Sequence, residues 1–334
     1  AVRVKVKDIA KAAGVSTTAV SLVLNGKPSR LSDATKEKIT RVARELAFQQ
    51  ESLHSESGER VKTMGLVVPS VSDPFYLNLL SCVHSCAYGF GYTVFTCVSE
   101  EDSERTCRAV ESLATKNADG ILLVAPVTVE HDDRLTKMLK TLVSGAVPLV
   151  LVDRAVYSVF GDFVTTDNKY GGRAAALYLA ERGHSRIGYL GGPQNVYTAR
   201  KRFQGYREGL AGRKLPYDDT LTFFGDFSRE SGRKGAAALY ERGCRAVFAA
   251  NALMTDGAVE FARDRGLRIP EDFVIVGYDA PGAQVPCVCQ NVSLMAEKSV
   301  DLLMEQIEAQ GSKVPPRNFY ITPVLSNGEG LSGF

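Results

Sequence analysis

Polar side chains that could bind a hydroxyl-rich molecule follow the ends of several apolar segments. Asp153 comes after an apolar run that ends at Val152, Asn251 follows another, and Asp279 follows Val276-Gly277-Tyr278. Carboxylate and amide groups can pair with several sugar hydroxyls, while a nearby aromatic ring stacks on the apolar face of a sugar. A lone aspartate at the end of a strand is more often a helix cap. Position alone therefore leaves both interpretations open.

Small hydrogen-bonding side chains near the amino end form a second group. Thr17, Thr18, Ser21 and Asn25 fall along one side of a predicted helix. Side chains of this size suit base edges and phosphates in the major groove of DNA. A short helical hairpin with a solvated polar face would show the same pattern. Within this isolated stretch, DNA binding and a plain solvated surface remain alternatives.

The elements around this second group form a helix-turn-helix pattern. Apolar residues at positions 6, 9, 10 and 13 have helical spacing, and Gly14 then breaks the helix. Ser16 is a good N-cap for a second helix, whose predicted inner face is Val20, Val23 and Leu24. A third amphipathic helix is predicted from Ser32 to Ala47.

The charge of the chain is unevenly distributed. Residues 1–49 contain ten Lys or Arg residues and four acids, whereas the whole chain has a net charge of +2. The remaining residues therefore carry a net negative charge. A basic amino-terminal region followed by an acidic remainder favours contacts with phosphate groups at the amino-terminal end only.

From residue 63 onward, apolar strands alternate with helices. Unbroken apolar strands separated by helices are typical of a parallel sheet that is buried on both faces. The first set of predicted strands is Met64 to Pro69, Tyr92 to Val98, Gly120 to Val124 and Pro148 to Val152. The second set is Phe163 to Thr165, Arg186 to Leu190, Leu221 to Phe224, Ala246 to Ala249 and Phe273 to Gly277. The last helix and strand, within residues 294–321, are too small to stand alone and are predicted to complete the first set.

The amino-terminal pattern resembles the DNA-binding headpiece of the lactose-repressor (LacI/GalR) family. The residues that carry the resemblance are Asp8-Ile9-Ala10, Gly14-Val15-Ser16, Val20-Ser21, Leu24-Asn25-Gly26-Lys27 and Glu45-Leu46-Ala47-Phe48. The resemblance extends over nearly the whole chain. It implies a helix-turn-helix headpiece at 1–49, a hinge at 50–62 and a two-lobed α/β domain at 63–334 similar to type I periplasmic binding proteins. The implied lobes are 63–158 with 291–322, and 159–290 with the C-terminal tail.

The resemblance implies a homodimeric, cytoplasmic regulator that reads a palindromic DNA operator. Base edges are expected to meet Thr17, Thr18, Ser21 and Leu22, and the DNA backbone is expected to meet Lys5, Ser16, Asn25 and Lys27. In the family a hinge leucine enters the minor groove, and Leu53 is the candidate here. The chain departs from the family at Gln50-Glu51 and at Ser57, which stands where the leucine is expected. We therefore expect a weaker or differently anchored hinge. The exposed helical edge with Tyr76, Leu80 and His84 is the expected dimer surface.

The resemblance also implies a small effector, expected to be a sugar or a sugar derivative. The matching positions are Ser72, Asp73, Phe75, Asp153, Arg200, Asn251, Asp279 and Gln290. Two departures concern this site. Ala252 stands where the family commonly has aspartate, and the segment between Asp279 and Gln290 is shorter than usual. No cofactor is expected.

The sequence lacks the motifs that are typical of other classes of protein. No GxxxxGK[ST] loop, no GxGxxG after a strand and no GxSxG elbow occurs, so an enzyme is disfavoured. Cys82, His84 and Cys86 cannot converge on a metal from one helix, because position 84 points away from the other two. A solute-binding transport component would share the large domain but not the basic headpiece. No run of about 18 apolar residues occurs, so no membrane span is expected. An activator and a regulator that needs a corepressor both fit as well as an inducible repressor.

Overall fold

The chain divides into two compact units, Ala1–Val61 and Lys62–Phe334. The computed structural model describes residues 6–24, 31–51, 61–116, 118–143, 145, 147–156, 158–309 and 315–327. Both units are described below by themselves.

Three helices form the first unit, which we call the headpiece. They are α1 (Val6–Ala13), α2 (Thr17–Leu24) and α3 (Asp33–Glu51). Gly14 turns the chain between α1 and α2 with a φ of +66°, a value that glycine adopts without strain. Ser16 caps α2, because its Oγ accepts a hydrogen bond from the Ala19 amide at 3.2 Å. The third helix continues four residues past its predicted end at Ala47.

A small apolar core holds the headpiece together. Ile9, Ala13, Val20 and Ile39 are buried there, with one or more residues from each helix. Val20 and Val23 pack inward as predicted, but Leu24 is 46% exposed, so its prediction as an inner residue is wrong. Leu24 lies only about 40° around the helix axis from buried Val20, so the side of the helix does not explain its exposure. Leu24 is instead the last residue of an eight-residue helix, at the end of the buried face.

The second unit contains two six-stranded sheets. The strands of the first sheet are β1 (Thr63–Val68), β2 (Thr93–Val98), β3 (Gly120–Leu123), β4 (Leu149–Val152), β5 (Asp162–Thr166) and β11 (Asn318–Ile321). Their order in the sheet is β11-β5-β4-β3-β1-β2, and all the pairings are parallel. Most of these strands are buried along their length, which explains their continuous apolar sequences.

The strands of the second sheet are β6 (Ile187–Gly191), β7 (Thr222–Phe224), β8 (Ala246–Ala249), β9 (Val274–Tyr278), β10 (Cys287–Cys289) and β12 (Val324–Ser326). Their order in the sheet is β12-β10-β9-β8-β6-β7. Among the pairings that the described residues make in this sheet, only that of β12 with β10 is antiparallel.

Helices cover both faces of the two sheets. In the first lobe they are α4 (Pro74–Gly89), α5 (Ser103–Thr115), α6 (Asp133–Val143) and α11 (Val292–Glu308). In the second lobe they are α7 (Asn168–Glu181), α8 (Tyr197–Gly212), α9 (Arg229–Glu241) and α10 (Ala252–Asp264). Two separate apolar clusters lie on the two faces of each sheet, so each lobe has its own core.

Strand β5 lies in the first lobe, although its place in the sequence suggested the second lobe. We expected the segment at 163–165 to begin the second lobe, but β5 pairs between β4 and β11 in the first sheet. The chain therefore crosses to the second lobe after Thr166 and not near residue 158. It returns before α11 and crosses again between β11 and β12. An apolar strand fits either sheet, so only the pairing reveals its partner.

Candidate functional site

A cavity of about 380 Å³ lies between the two lobes of the second unit. We call it the interlobe cavity. Its walls come from the segments that follow the carboxyl ends of the strands in both sheets, where ligands of open α/β sheets bind. Lining residues after β1 to β4 include Ser70, Asp73, Glu101, Asp153 and Arg154. From the second lobe come Thr198, Arg202, Phe227, Asn251 and Asp279, with Gln290 at the crossover into α11.

Several lining residues have an unusual backbone conformation. Glu101, Asp153, Phe227 and Asp279 have φ values between 53° and 68°. Non-glycine residues rarely adopt this left-handed region, and such strain tends to accumulate at functional sites. All four follow the end of a strand, so the strained positions mark the rim where the two sheets face each other.

Asp279 and Gln290 form one rigid pair. The backbone amide of Gln290 donates to Oδ1 of Asp279 at 2.8 Å, and the side-chain Nε2 of Gln290 donates to Oδ2 at 2.5 Å. Burial raises the pKa of Asp279 to about 6. Both carboxylate oxygens are therefore used to orient Gln290. Its Oε1 atom is buried without a hydrogen-bond partner among the described residues.

Asp153 offers a second hydrogen-bond acceptor in the cavity. It is 4% exposed, and its Oδ2 accepts a long hydrogen bond of 3.4 Å from the Tyr76 hydroxyl. Its Oδ1 is buried and has no partner within the part of the chain that the structure describes. Burial raises the pKa of this carboxyl. A buried acceptor without a donor is costly, so the geometry favours a ligand that donates to it.

Arg154 is held by the first lobe. Its Nη1 and Nη2 atoms donate to the two Glu101 carboxylate oxygens at 2.9 and 3.0 Å, and Nη1 also donates to the Ala125 carbonyl. The guanidinium lies over the Tyr76 ring, 5.7 Å from its centroid. Bidentate pairs of this kind fix both partners. Arg154 and Glu101 thus form a largely neutralised wall of the cavity.

Arg202 occupies the corresponding place in the second lobe. Its Nε donates to Oδ1 of Asn168 at 2.7 Å, and its Nη1 donates to the Ala250 carbonyl at 2.5 Å. The guanidinium stacks on the Tyr278 ring, 3.6 Å from the centroid, while the Tyr278 hydroxyl also donates to Asn168. The side chain is 5% exposed. This network fixes the guanidinium at the cavity wall.

Two of the predicted effector residues do not line the cavity. Arg200, predicted as an effector contact, lines a separate groove of about 610 Å³ on the second lobe, and its Nη1 donates to the Asn195 carbonyl. The prediction chose the wrong arginine of the pair, because residues two apart on a helix point in directions about 200° apart. Ser72 is exposed, and its amide donates to Oγ of Ser70, which lines the cavity instead.

The remaining predicted residues lie around the cavity. They are Asp73, Phe75, Asp153, Asn251, Asp279 and Gln290. Some of them also have structural tasks. Asp73 caps α4 by accepting from the Phe75 amide at 2.9 Å. Asn251 caps α10 through Oδ1, and its Nδ2 donates a hydrogen bond to the Phe227 carbonyl at 3.0 Å. The capping and binding interpretations are therefore compatible.

Sequence reasoning missed several residues of the site. Glu101, Phe227 and Arg202 line the cavity but were not predicted as contacts. A signal for Arg202 was available, since Arg202, Gly205, Tyr206 and Gly209 have the i, i+3, i+4, i+7 spacing of a buried helix face. Glu101 and Phe227 come from turns, and no periodic pattern identifies them.

The headpiece presents the predicted polar face on its surface. Ser16, Thr17, Thr18 and Ser21 are exposed on and next to α2, and Leu22 is partly exposed. This face points away from the buried core of the headpiece, as groove contacts require. Four further predicted DNA contacts, Lys5, Asn25, Lys27 and Leu53, lie outside the described residues, as does the hinge position Ser57.

Across the described residues, no group of three or more His, Cys, Asp or Glu side chains could hold a metal ion. None of the described helices is both long and apolar enough to cross a membrane.

Comparison with protein families shows where the chain belongs. A model described as "Bacterial regulatory proteins, lacI family" matches residues 5–51. A second model, "Periplasmic binding proteins and sugar binding domain of LacI family", matches residues 61–313, which is more than half of the chain. The chain belongs to the LacI family. The expected helix-turn-helix headpiece and two-lobed α/β domain are thereby confirmed, and the chain is a DNA-binding transcriptional regulator of that family.

LacI-family proteins among its relatives are similar over most of their length. The HTH-type transcriptional repressor PurR of Proteus mirabilis is 33% identical over 82% of this chain and 80% of its own. The ribose operon repressor of Escherichia coli is 29% identical over 96% of this chain and 97% of its own. A solved complex of the transcriptional regulator CelR with cellobiose is 31% identical, covers 97% of this chain and 98% of its own, and has a TM-score of 0.71.

Proposed function

We propose that this LacI-family regulator is a repressor whose hold on a DNA operator changes when a small sugar binds in the interlobe cavity. The observation that carries the proposal is the pair of buried acceptors without partners, Asp153 Oδ1 and Gln290 Oε1. A ligand rich in hydroxyl donors would supply the hydrogen bonds that these two buried acceptors need. The exposed face of α2 supplies the DNA contact, with Thr17, Thr18 and Ser21 toward base edges.

A sugar fits the lining of the cavity better than an apolar ligand does. Carboxylate, amide and guanidinium groups alternate with the rings of Phe75, Tyr76 and Phe227. A volume of about 380 Å³ lies near the lower end of the range for ligand sites, about 300–1,000 Å³, which favours a small effector. Similar proteins include a ribose operon repressor and a regulator solved with cellobiose.

Repression is the proposed direction of control. Relatives of this chain include several named repressors, such as PurR and the ribose operon repressor. An activator or a corepressor-dependent regulator would use the same headpiece and the same cavity, so these two remain the alternatives. Since DNA is the target, we place its action in the cytoplasm.

The proposed assembly is a homodimer that reads a palindromic operator. A solved structure with a similar fold is that of the lac repressor dimer bound to operator. In this chain, the edge strand β2 and the neighbouring helix α4 expose the apolar side chains Leu77, Phe95 and Val98. An apolar patch on an edge strand suits a self-complementary interface. Tyr76, expected at this surface, is buried against Asp153 instead.

A selection of bound duplexes from random DNA tests the proposal. We expect the full-length protein to enrich a palindrome with two half-sites about one helical turn apart. Repeating the selection and DNase footprinting with a panel of monosaccharides should identify one that changes occupancy. An effector that weakens occupancy makes the protein an inducible repressor. An effector that strengthens it indicates a corepressor, and absence of any enriched duplex at moderate salt would refute the regulatory role.

A further inference from the structure

Two cysteines lie side by side on strand β10, next to the interlobe cavity. Cys287 and Cys289 are separated by one residue, so their side chains point to the same face of the strand. Their Sγ atoms are 3.5 Å apart, a distance at which the two thiols form a hydrogen bond. All seven cysteines of the chain lie within the described residues as free thiols. This contact brings two reduced sulfur atoms together that one covalent bond could join.

The two thiols differ in exposure and in acidity. Cys287 is 1% exposed, whereas Cys289 is partly exposed. The hydrogen bond between them lowers the pKa of Cys289 and raises the pKa of Cys287 well above its usual value. Burial raises the pKa of the other thiols, which belong to Cys82, Cys86, Cys97, Cys107 and Cys244. Since the thiolate is the reactive form of cysteine, Cys289 is the reactive thiol of this chain.

The pair fits oxidation better than it fits metal binding. Structural zinc takes four ligands in proteins, and here only two sulfur atoms come together. Within the described residues, no third His, Cys, Asp or Glu side chain completes a metal-binding group with them. Disulfides that form in the cytosol are usually transient and redox-sensing, so a dithiol of this kind agrees with a regulator that acts on DNA.

A disulfide between these residues is possible but strained. A strand rises about 3.2–3.4 Å per residue, so Cα atoms two residues apart are separated by about 6.4–6.8 Å. Disulfides span about 4.4–6.8 Å between Cα atoms, most often about 5.5–6 Å. Closing the bond, which is about 2.0 Å long, must therefore bend β10 at Val288. Strained disulfides are easily reduced, and they are the ones that regulate.

Strand β10 connects the thiol pair to the Asp279–Gln290 pair. Gln290 directly follows Cys289, and its backbone amide donates to Oδ1 of Asp279. Sγ of Cys287 accepts a hydrogen bond at 3.0 Å from the amide of Ala280, the residue after Asp279. Each member of the Asp279–Gln290 pair is thus one residue away from a thiol or from a contact of a thiol. A bend in β10 displaces both members.

We propose that Cys287 and Cys289 are a redox-sensitive pair, which hydroperoxides oxidise to a reversible disulfide that loosens the Asp279–Gln290 pair. This modification site goes beyond the proposed function and does not depend on the identity of the effector. It adds a second input, oxidation, to the residues that line the interlobe cavity.

The reaction has two steps. With hydrogen peroxide, the Cys289 thiolate attacks one oxygen, an S–O bond forms, the O–O bond breaks, and hydroxide leaves and takes up the proton that the thiol had released. Cys289 is then a sulfenic acid. The Cys287 sulfur next attacks the Cys289 sulfur, the S–S bond forms, the S–O bond breaks, and the thiol proton leaves with the hydroxyl group as water. The two sulfur atoms lose two electrons in total, and the peroxide receives them.

Peptide mapping by mass spectrometry tests the disulfide in the full-length protein. The reduced protein is treated with a small excess of hydrogen peroxide, denatured and alkylated. We expect two alkylated thiols fewer than the seven of the reduced chain, and a peptide containing Cys287 and Cys289 that has lost two hydrogen atoms. Dithiothreitol should restore all seven thiols. Seven thiols that stay reduced, a sulfinic acid at Cys289, or a disulfide between other cysteines overturns the proposal.

Variants separate the roles of the two sulfur atoms. Cys289→Ser, at a partly exposed position, removes the attacking sulfur, and we expect the remaining thiols to stay reduced. Cys287→Ser leaves the sulfenic acid without a partner, so dimedone should label Cys289. Cys82→Ser, at a partly exposed thiol on α4, is the matched control and should form the disulfide as the wild type does. Equal oxidation of the wild type and Cys289→Ser would contradict the assignment.

Hydrogen exchange measures the effect on the cavity without a ligand. The Ala280 and Gln290 amides are protected by hydrogen bonds to Cys287 Sγ and Asp279 Oδ1. We expect peptides that contain these two amides to exchange at least about 10-fold faster in the oxidised protein, and reduction should reverse the change. The Val124 amide, which donates to the Val67 carbonyl in the first lobe, is the control and should exchange at one rate. Unchanged exchange at Ala280 and Gln290 after the disulfide has formed overturns the proposed link to the cavity.

Discussion

Single residues at the ends of strands place polar groups in the interlobe cavity. Asp153 and Asp279 follow β4 and β9, and both have left-handed φ values that turn their side chains into the cavity. Each keeps a fixed partner: Tyr76 for Asp153 and Gln290 for Asp279. The polar set is therefore positioned before a ligand arrives, which reduces the ordering cost of binding.

Substitution of Arg202 should separate effector binding from DNA binding. Arg202→Lys keeps the charge but loses the planar donors to Asn168 and Ala250, so the cavity wall loses its geometry. We expect effector affinity to fall about 100-fold while operator affinity without effector is unchanged, as measured by calorimetry and gel shift. Arg207→Lys, at an exposed arginine of the same helix that lines the other groove, is the matched control and should bind the effector normally. Equal losses for both variants would contradict this assignment.

The Asp279 carboxyl should make stability depend on pH. Its pKa of about 6 lies above the ordinary value of 3.8, so the folded protein holds a proton that the unfolded chain releases. Stability from this group is present below about pH 4 and is lost as pH rises to about 6. We expect the free energy of unfolding of the wild type, relative to Asp279→Asn, to fall by on the order of 3 kcal/mol over this window.

Chemical denaturation at several pH values measures this difference. Asp219→Asn, the same substitution at an exposed carboxyl, provides the control. A flat difference between wild type and Asp279→Asn would show that the carboxyl titrates alike in the folded and unfolded states.

At the scale of elements, the packing of α7 against α8 places Arg202. Gly205 on α8 lies so close to α7 that an added Cβ would overlap the Lys169 carbonyl oxygen. Gly212, at the end of the same helix, has open space around its Cα. Close helix approach at Gly205 thus sets how deeply Arg202 reaches into the cavity.

Alanine substitutions at these two glycines should have opposite effects. Gly205→Ala must separate backbones, and we expect a loss of several kcal/mol in unfolding free energy together with weaker effector binding. Gly212→Ala should be neutral or slightly stabilising, since alanine is the better helix former. Thermal and denaturant unfolding measure both. Similar stability for the two variants would mean that α7 can shift without cost.

The headpiece helix α2 should read sequence through its exposed face. Thr18→Ala is expected to change base preference at one operator position, by about 1–3 kcal/mol of discrimination. Lys27→Ala should instead weaken binding to all duplexes alike and lower the salt slope by about 1, because a phosphate contact carries no sequence information. Gel shifts on single-base operator variants at several salt concentrations distinguish the two. A uniform loss for Thr18→Ala would remove it from the base-reading set.

At the scale of the whole molecule, ligand binding is linked to the relation between the two lobes. Nδ2 of Asn195 in the second lobe donates to the Val127 carbonyl in the first lobe at 3.0 Å. The Asn195 carbonyl accepts a hydrogen bond from Nη1 of Arg200. A ligand that contacts Asp153 and Asp279 joins the same lobes through the cavity. If the effector changes operator affinity, the operator must change effector affinity by the same factor, as linkage requires.

The proposed dimer predicts a concentration-dependent loss of operator binding. Phe95→Glu places a charge in the exposed apolar patch on β2, and we expect sedimentation to show monomers with operator affinity reduced at least about 10-fold. Tyr170→Glu, at an exposed aromatic residue on α7, is the control and should remain dimeric. A Phe95→Glu protein that stays dimeric would place the interface elsewhere.

The sequence by itself determined the local elements and the family. Helical spacing, the cap at Ser16 and continuous apolar strands reflect interactions within a few residues, and the structure agrees with them. Tertiary structure decided three things that local pattern cannot. It assigned β5 to the first sheet, because an apolar strand has no marker of its partner. It selected Arg202 over Arg200, since helix packing chooses which side of α8 is buried. It also joined Gln290 to Asp279 across eleven residues, because long-range contacts depend on how the lobes close around one cavity.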